Sequence, residues 1–181
     1  SQGIYYTPRY IVDYIVKNTL GDILKGKSGH EASKIKILDP ACGSGSFLIK
    51  AFEVLDNHIK RKNNQLNAQS FTNYARKVGI LTSNIYGVDL DEEATEIAQL
   101  NLIIKALEKR ELLPNLSHNI ECGNSLISGG EEELKKHFGK DWKSKKPFNW
   151  KDRFKDVFKQ GGFDVIIGNP PYIKEYVEKS A

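Results

Sequence analysis

The sequence contains no methionine and only two cysteines among its 181 residues. Cys42 and Cys122 each stand beside a glycine, in what we predict to be loops at strand ends. Two such thiols do not make a disulfide framework, and the chain has no group of His and Cys residues with the spacing of a zinc site. We therefore predict small buried thiols in a reducing compartment and no bound metal.

Long hydrophobic runs are also missing. No stretch of about eighteen consecutive apolar residues exists, so we expect no membrane span. The N-terminal residues carry neither a basic region nor an apolar core, so we expect no signal peptide. The absence of methionine leads us to expect a piece excised from a longer chain, because a natural start would carry one.

The composition is that of an ordinary globular protein. Hydrophobic residues make up 39% of the chain and charged residues 28%, which suits one domain spanning residues 1–181 with a real core. The formal net charge is only +4, so it permits a polyanionic partner without requiring one.

Short apolar runs recur along the chain, separated by segments with helical periodicity. We predict four short strands, at residues 35–38, 85–88, 118–121 and 163–168. The alternation predicts an α/β fold with a mainly parallel sheet. Right-handed crossovers would then bring the carboxyl ends of all four strands to one edge.

Local signals set the predicted helices and loops. Thr7 is predicted to cap a first helix that starts with Pro8 and ends at Gly21. Polar residues predict a loop at 25–34 and a connector at 63–84 that holds one short helix.

The first two predicted strands are followed by residues suited to ligand binding. Gly43 and Gly45 would let the backbone approach a ligand at a helix N-terminus, although a Gly-x-Gly pair also occurs in plain tight turns. A dinucleotide site would show a third glycine and an acid about 20 residues later, and both are missing. Another adenosine-containing ligand is therefore favoured. Asp89 is placed to accept ribose hydroxyls, because Asp91 is the better cap for the next helix.

The third and fourth predicted strands are each followed by an asparagine, whose side chain carries an amide. Asn124 and Ser125 offer an amide and a hydroxyl suited to an adenine edge, or they form an ordinary Asn-Ser turn. Asn169-Pro170-Pro171-Tyr172 follows the fourth strand, which the two prolines stop. An amide, a fixed carbonyl and an aromatic ring suit a planar group bearing an NH2, and a Pro-rich surface turn is the alternative.

In this order the motifs resemble those of gamma-class S-adenosylmethionine-dependent DNA adenine-N6 methyltransferases, as found in type I and type IIG restriction-modification systems. Asp39-Pro40-Ala41-Cys42-Gly43-Ser44-Gly45 is similar to the first cofactor motif, and Asn169-Pro170-Pro171-Tyr172 to the catalytic motif. Tyr6-Thr7-Pro8 resembles the extra N-terminal motif, and Asn124 stands where Asp is more usual. The likeness spans residues 4–174.

The resemblance implies a Rossmann-like methyltransferase fold, with a mainly parallel sheet, helices on both faces and truncation after strand four. It implies S-adenosyl-L-methionine as cofactor, held by residues from the strand ends and the N-terminal motif: Tyr6, Thr7, Asp39, Ala41, Gly43, Gly45, Asp89, Leu90, Asn124 and Ser125. Asn169 and Pro170 would accept the N6 hydrogens of an adenine flipped out of double-stranded DNA, and Tyr172 would stack on that base.

The resemblance further implies a prokaryotic, cytoplasmic enzyme that works with specificity or restriction domains outside this chain. Two alternatives stay open: a methyltransferase for a protein glutamine amide, which offers the same NH2, and a non-catalytic piece that binds cofactor or DNA. The Lys- and Trp-rich segment 140–151 could hold a phosphate backbone, but we favour a solvated insertion with two rings tucked against the core.

Overall fold

Four parallel strands lie at the centre of the computed structural model, which describes residues 7–65, 73–107 and 111–170. The strands are β1 (Ile37–Asp39), β2 (Ile85–Asp89), β3 (Ile120–Cys122) and β4 (Val165–Ile166). They form one sheet in the order β3-β2-β1-β4, and every pairing is parallel. The predicted α/β fold with a mainly parallel sheet is thus confirmed, and the four carboxyl ends share one edge.

Three of the four strands are shorter than predicted, whereas β2 extends one residue further than predicted, to Asp89. At the start of β1, the Lys36 N–H donates to the side chain of Asp164 at 2.7 Å, while the Lys36 carbonyl accepts from the backbone of Asp164 and Val165. Regular pairing therefore begins only at Ile37, which stands opposite Ile85 on one side and Val165 on the other.

The described residues also form nine helices and one 3-10 segment, three of the helices before β1 and the rest between the strands. The helices are α1 (Arg9–Asn18), α2 (Leu20–Ile23), α3 (Gly29–Ala32), α4 (Ser46–Gln65), α5 (Asn73–Ser83), α6 (Glu92–Ala106), α7 (Glu131–Phe138), α8 (Trp150–Arg153) and α9 (Lys155–Lys159), and the 3-10 segment is Gly139–Lys145. None of them is both long and apolar enough to cross a bilayer.

The predicted start and end of the first helix are wrong. Pro8 itself is the N-cap, with its carbonyl accepting from the Ile11 and Val12 N–H groups, and no side chain caps the helix. Thr7 is therefore not a cap. Gly21 does not end the helix but lies inside α2, after a break at Thr19.

The predicted loop at 25–34 contains a helix. Ser28 and Glu31 form a capping box, in which each side chain bonds the other residue's backbone N–H. The Ser-x-x-Glu spacing was the signal for this turn of helix, α3. Likewise, the short helix predicted within 63–84 is the longer α5, whose Ile80 and Leu81 are buried.

The two faces of the sheet carry different cores. One face and its helices α1, α2, α4, α5 and α6 form a large, mostly aliphatic cluster, here called the aliphatic core. The other face carries the aromatic core, made of Leu38, Tyr86, Val88, Phe148, Phe154 and Val157, with Trp150 and Phe163 packed against it. Because α8 and α9 cover this second face, helices lie on both sides of the sheet, as predicted.

Candidate active site

The loop after β1 buries a carboxyl group with one oxygen unsatisfied. Asp39 is 1% exposed; its Oδ1 accepts from the Ala41 N–H at 3.0 Å. Its Oδ2 has no hydrogen-bond partner among the described residues. Burial, together with nearby Asp89, raises the pKa of Asp39 to about 7. Gly168 packs so closely that a Cβ there would lie 2.5 Å from Oδ1, so the end of β4 sits directly against this group.

Both glycines of this loop have backbone angles that favour glycine. Gly43 has a φ of 50° and Gly45 a φ of 88°. A Cβ on Gly43 would meet nothing within 4 Å, so the space before it is open. At position 45 a glycine is also favoured by packing, which the sequence did not reveal. A Cβ on Gly45 would lie 3.2 Å from the Cβ of Ala98 on α6.

Asp89 ties the loops after β1 and β2 together. Its Oδ2 accepts from the Gly43 N–H at 2.8 Å, and its Oδ1 accepts from the Asp91 N–H at 3.0 Å. Each carboxylate oxygen has a second lone pair, so further donors can still bind. Asp91 caps α6 by accepting from the Glu93 N–H, as predicted. The next residue after Asp89, Leu90, is 45% exposed beside this site.

The loop after β3 is held by turn bonds and by a distant segment. Asn124 Oδ1 accepts from the Leu126 N–H at 3.1 Å, which is the turn alternative raised from the sequence. The Asn124 N–H donates to the Lys146 carbonyl at 2.7 Å, and the Ser125 carbonyl accepts from the indole N–H of Trp150 at 3.3 Å. Asn124 and Ser125 therefore lie at the shared edge, with their backbone already engaged.

The end of β4 meets the N-terminal motif. Asn169 is exposed, and its Nδ2 donates to Thr7 Oγ1 at 3.3 Å. The two residues are 162 positions apart in the sequence. This bond gives Thr7 a role other than capping and leaves Oδ1 as the acceptor of the Asn169 amide. Pro170 is also exposed, whereas Tyr6 and Tyr172 lie outside the described residues.

The Lys- and Trp-rich segment packs inward through its rings. Phe148 is 2% exposed, and Trp150 contacts it with ring centroids 4.8 Å apart. The tucked-ring interpretation is therefore correct for these two residues. What sequence reasoning missed is that the same segment reaches the strand ends, where Lys146 Nζ lies 3.3 Å from the Leu90 carbonyl and 3.8 Å from Cys122 Sγ. Cys122 is only half-buried, unlike the buried Cys42.

Comparison with known proteins gives two family matches. The family model described as Eco57I restriction-modification methylase matches residues 83–180, and that of the RMKL-like methyltransferase domain matches residues 16–114. The type II restriction enzyme and methyltransferase RM.Eco57I of Escherichia coli is 36% identical across 96% of this chain. The adenine-specific methyltransferase PglX of Streptomyces coelicolor is 27% identical across 96%.

A solved structure has the same fold. The nuclease-deletion mutant of the Type ISP restriction-modification enzyme LlaGI, in complex with a DNA substrate mimic, matches 94% of this chain with a TM-score of 0.60 and 23% identity. This chain spans only 13% of that protein, and 18% and 15% of the two relatives. With a family model that covers more than half of its residues, the chain belongs to the Eco57I family of restriction-modification methylases.

Proposed function

We propose that this chain is the cofactor-binding and catalytic part of a DNA methyltransferase that transfers a methyl group from S-adenosylmethionine to adenine N6 within a restriction-modification system. The main support is that one edge of the sheet carries Asp39, Gly43, Asp89 and Asn169 together. The printed names of the relatives, a restriction enzyme and methyltransferase and an adenine-specific methyltransferase, support the same activity. Family membership favours DNA over a protein glutamine amide as the substrate.

The residues at this edge fit S-adenosylmethionine. Its amino-acid end carries an ammonium, and the buried, unsatisfied Oδ2 of Asp39 suits a cation. Asp89 has lone pairs left for the ribose hydroxyls, and the open space before Gly43 admits the chain between the two ends. When bound, the cofactor supplies a methyl group activated by its sulfonium. Thr7, Asp39 and Asp89 would hold it, and Leu90, Asn124 and Ser125 would face its base.

Activation of the target amine would fall to Asn169 and Pro170. The lone pair of adenine N6 is delocalised into the ring, which makes the amine a poor nucleophile. Asn169 Oδ1 and the Pro170 carbonyl would each accept one N6 hydrogen, drawing electron density back to nitrogen and turning its lone pair toward the methyl group. Thr7 fixes the other end of the Asn169 amide. No covalent intermediate is needed, so orientation and electrostatics supply the catalysis.

Substrate DNA would present its adenine extruded from the helix. Stacking of Tyr172 on that base would contribute roughly 1–3 kcal/mol, which offsets part of the cost of unstacking. The rest of the substrate contact, and the choice of target sequence, would come from domains outside this chain.

Transfer of a labelled methyl group from S-adenosylmethionine to mixed-sequence DNA tests the proposal. The label should appear in N6-methyladenine, with this chain or with a longer protein that includes it. Asn169→Ala should lower transfer by at least about a hundredfold, because each acceptor of a reacting proton contributes on that scale. Cofactor affinity should stay within about twofold of wild type, since Asn169 bonds the amine rather than the cofactor.

The matched control is Asn57→Ala, an exposed position on α4. Asn57 lies about three turns along that helix from its N-terminus at the site, so transfer should be unchanged. Equal loss of transfer and of cofactor binding in Asn169→Ala would refute the division of roles. Label in any base other than adenine would refute the proposed substrate.

A further inference from the structure

Residues 146–150, here called the clasp, are bonded to the loop after β3 at three points. The Lys146 carbonyl accepts from the Asn124 N–H at 2.7 Å, and the Phe148 N–H donates to the Ile127 carbonyl at 2.7 Å. The Trp150 indole N–H donates to the Ser125 carbonyl at 3.3 Å. Since Asn124 and Pro147 also pair as a parallel bridge, the clasp extends the sheet edge just beyond β3.

A buried ring holds the clasp in place from below. Phe148 packs so tightly under the β3 loop that a Cβ on Gly123 would lie 2.6 Å from its ring. The ring also contacts Trp150 and Phe154, and the Arg153 guanidinium lies over it. Packing of Phe148 in the aromatic core therefore holds the clasp in its position.

Lys146 contacts the loops after both β3 and β2, the first through its backbone and the second through its side chain. Its backbone is left-handed, with a φ of 49°, and it is the one non-glycine residue of the described chain with positive φ. Its Nζ reaches the Leu90 carbonyl at 3.3 Å and Cys122 Sγ at 3.8 Å. The exposed side chain thus tethers the loop that carries Leu90, at the edge where the base of the cofactor would lie.

From this geometry we propose that the clasp is the outer wall of the adenine subsite of the cofactor, and that Lys146 is a positioning residue that holds Leu90 against the base. The inference rests on the proposed function, because it presumes an adenosine cofactor at Asp89. A strained backbone at a tethered residue is typical of a site where geometry is fixed for binding. The lysine acts through Leu90 and need not touch the reacting atoms.

Calorimetric titration with two ligands tests the wall. S-adenosylmethionine occupies both ends of the site, whereas 5′-methylthioadenosine carries the adenosine end alone. Lys146→Ala should weaken both ligands by the same factor, roughly three- to tenfold, as expected for one charge-assisted hydrogen bond. Asp39→Asn should weaken S-adenosylmethionine and leave 5′-methylthioadenosine within about twofold, because Asp39 faces the amino-acid end.

Matched controls separate this role from folding. Lys145→Ala removes a neighbouring exposed lysine and should leave both affinities unchanged. Lys146→Arg keeps a cationic donor and should restore binding to within about twofold of wild type. The thermal midpoints of the three lysine variants should agree with that of wild type, since exposed residues contribute little to stability.

The outcomes distinguish the two proposals. If wild type binds both ligands and Lys146→Ala binds them with unchanged affinity, the proposed role of the clasp is overturned and the proposed function is not. Loss of S-adenosylmethionine affinity without loss of 5′-methylthioadenosine affinity in Lys146→Ala also overturns it, because the lysine would then act at the other end. A wild-type chain that binds neither ligand overturns the proposed function and the wall together.

Discussion

The two faces of the sheet are built differently and serve the candidate site differently. The aliphatic core is assembled from long helices whose buried residues, such as Leu55 on α4, lie behind the sheet. The aromatic core is assembled partly from an irregular stretch, and one of its buried rings, Phe148, is bonded through its own backbone to the loop after β3. The aliphatic face therefore holds the sheet together, while the aromatic face also shapes its carboxyl edge.

This contrast explains why polar sequence can conceal a structural segment. The clasp lies among lysines, yet its two rings insert into a core that few other residues fill. Edge-to-face aromatic pairs such as Tyr86–Phe154 and Phe154–Phe163 give this small core directional contacts that an aliphatic cluster lacks. The clasp joins these contacts through Phe148, whose ring centroid lies 4.8 Å from that of Trp150 and 5.6 Å from that of Phe154.

The largest effect should come from emptying either core. Phe148→Ala should lower the free energy of unfolding by about 3–5 kcal/mol, and Leu55→Ala by about 2–5 kcal/mol, because each side chain is fully buried. Denaturant titration measures both. At low temperature, where both variants are folded, only Phe148→Ala should also weaken S-adenosylmethionine. Equal affinity in the two variants would contradict the proposed link between the aromatic core and the site.

The carboxyl edge of the sheet also differs from both cores in carrying a buried titratable group, Asp39. Burial raises the pKa of Asp39 to about 7, so the folded chain binds a proton there that the unfolded chain, with a pKa near 3.8, releases. The stabilising contribution is fully present below about pH 4 and is lost as pH rises to about 7. Between pH 5 and pH 8, wild type should lose about 2–3 kcal/mol relative to Asp39→Asn, with a slope of about 1.4 kcal/mol per pH unit below pH 7.

Denaturant midpoints of the two proteins, measured across that pH range, check this prediction. Because Asn is neutral and nearly isosteric with Asp, it removes the titration without emptying the space. A stability difference that stays constant with pH would mean that Asp39 is charged throughout in the free chain.

A smaller effect tests the contact between the clasp and β3. Gly123→Ala should cost about 1–3 kcal/mol, because the new Cβ would lie 2.6 Å from the buried Phe148 ring. Gly79→Ala on α5 is the matched control, since a Cβ there meets nothing within 4 Å, and it should stabilise by roughly 0.5–1 kcal/mol. If the midpoints of thermal unfolding shift in the same direction and by the same amount in the two variants, the Phe148 ring does not pack against Gly123 as closely as described.

The sequence predicted the parts of the molecule with strong local signals. Apolar runs and the residues after them identified the parallel sheet, the Asp91 cap and the shared edge, because strand period and capping chemistry are local. The Ser28–Glu31 capping box gave an equally local signal that was overlooked within a polar stretch. Thr7 was misassigned for a different reason, since its partner Asn169 lies at the other end of the chain.

The remaining features depend on tertiary packing and could not be obtained from local patterns. Gly168 is required by the carboxyl group of Asp39, and Gly45 by Ala98 on α6. Lys146 reaches Leu90 only because Phe148 anchors the clasp under β3. In each case the reason for a residue lies in another element, far away in sequence.

Calorimetric titration of S-adenosylmethionine into wild type and Asp89→Ala tests the central claim, that the carboxyl edge of the sheet holds the cofactor. Wild type should bind at one site, and Asp89→Ala should bind more than about tenfold more weakly, because the carboxylate offers the acceptors for the ribose. Asp156→Ala, at an exposed position of α9, should bind as wild type does. Unchanged affinity in Asp89→Ala would contradict the account.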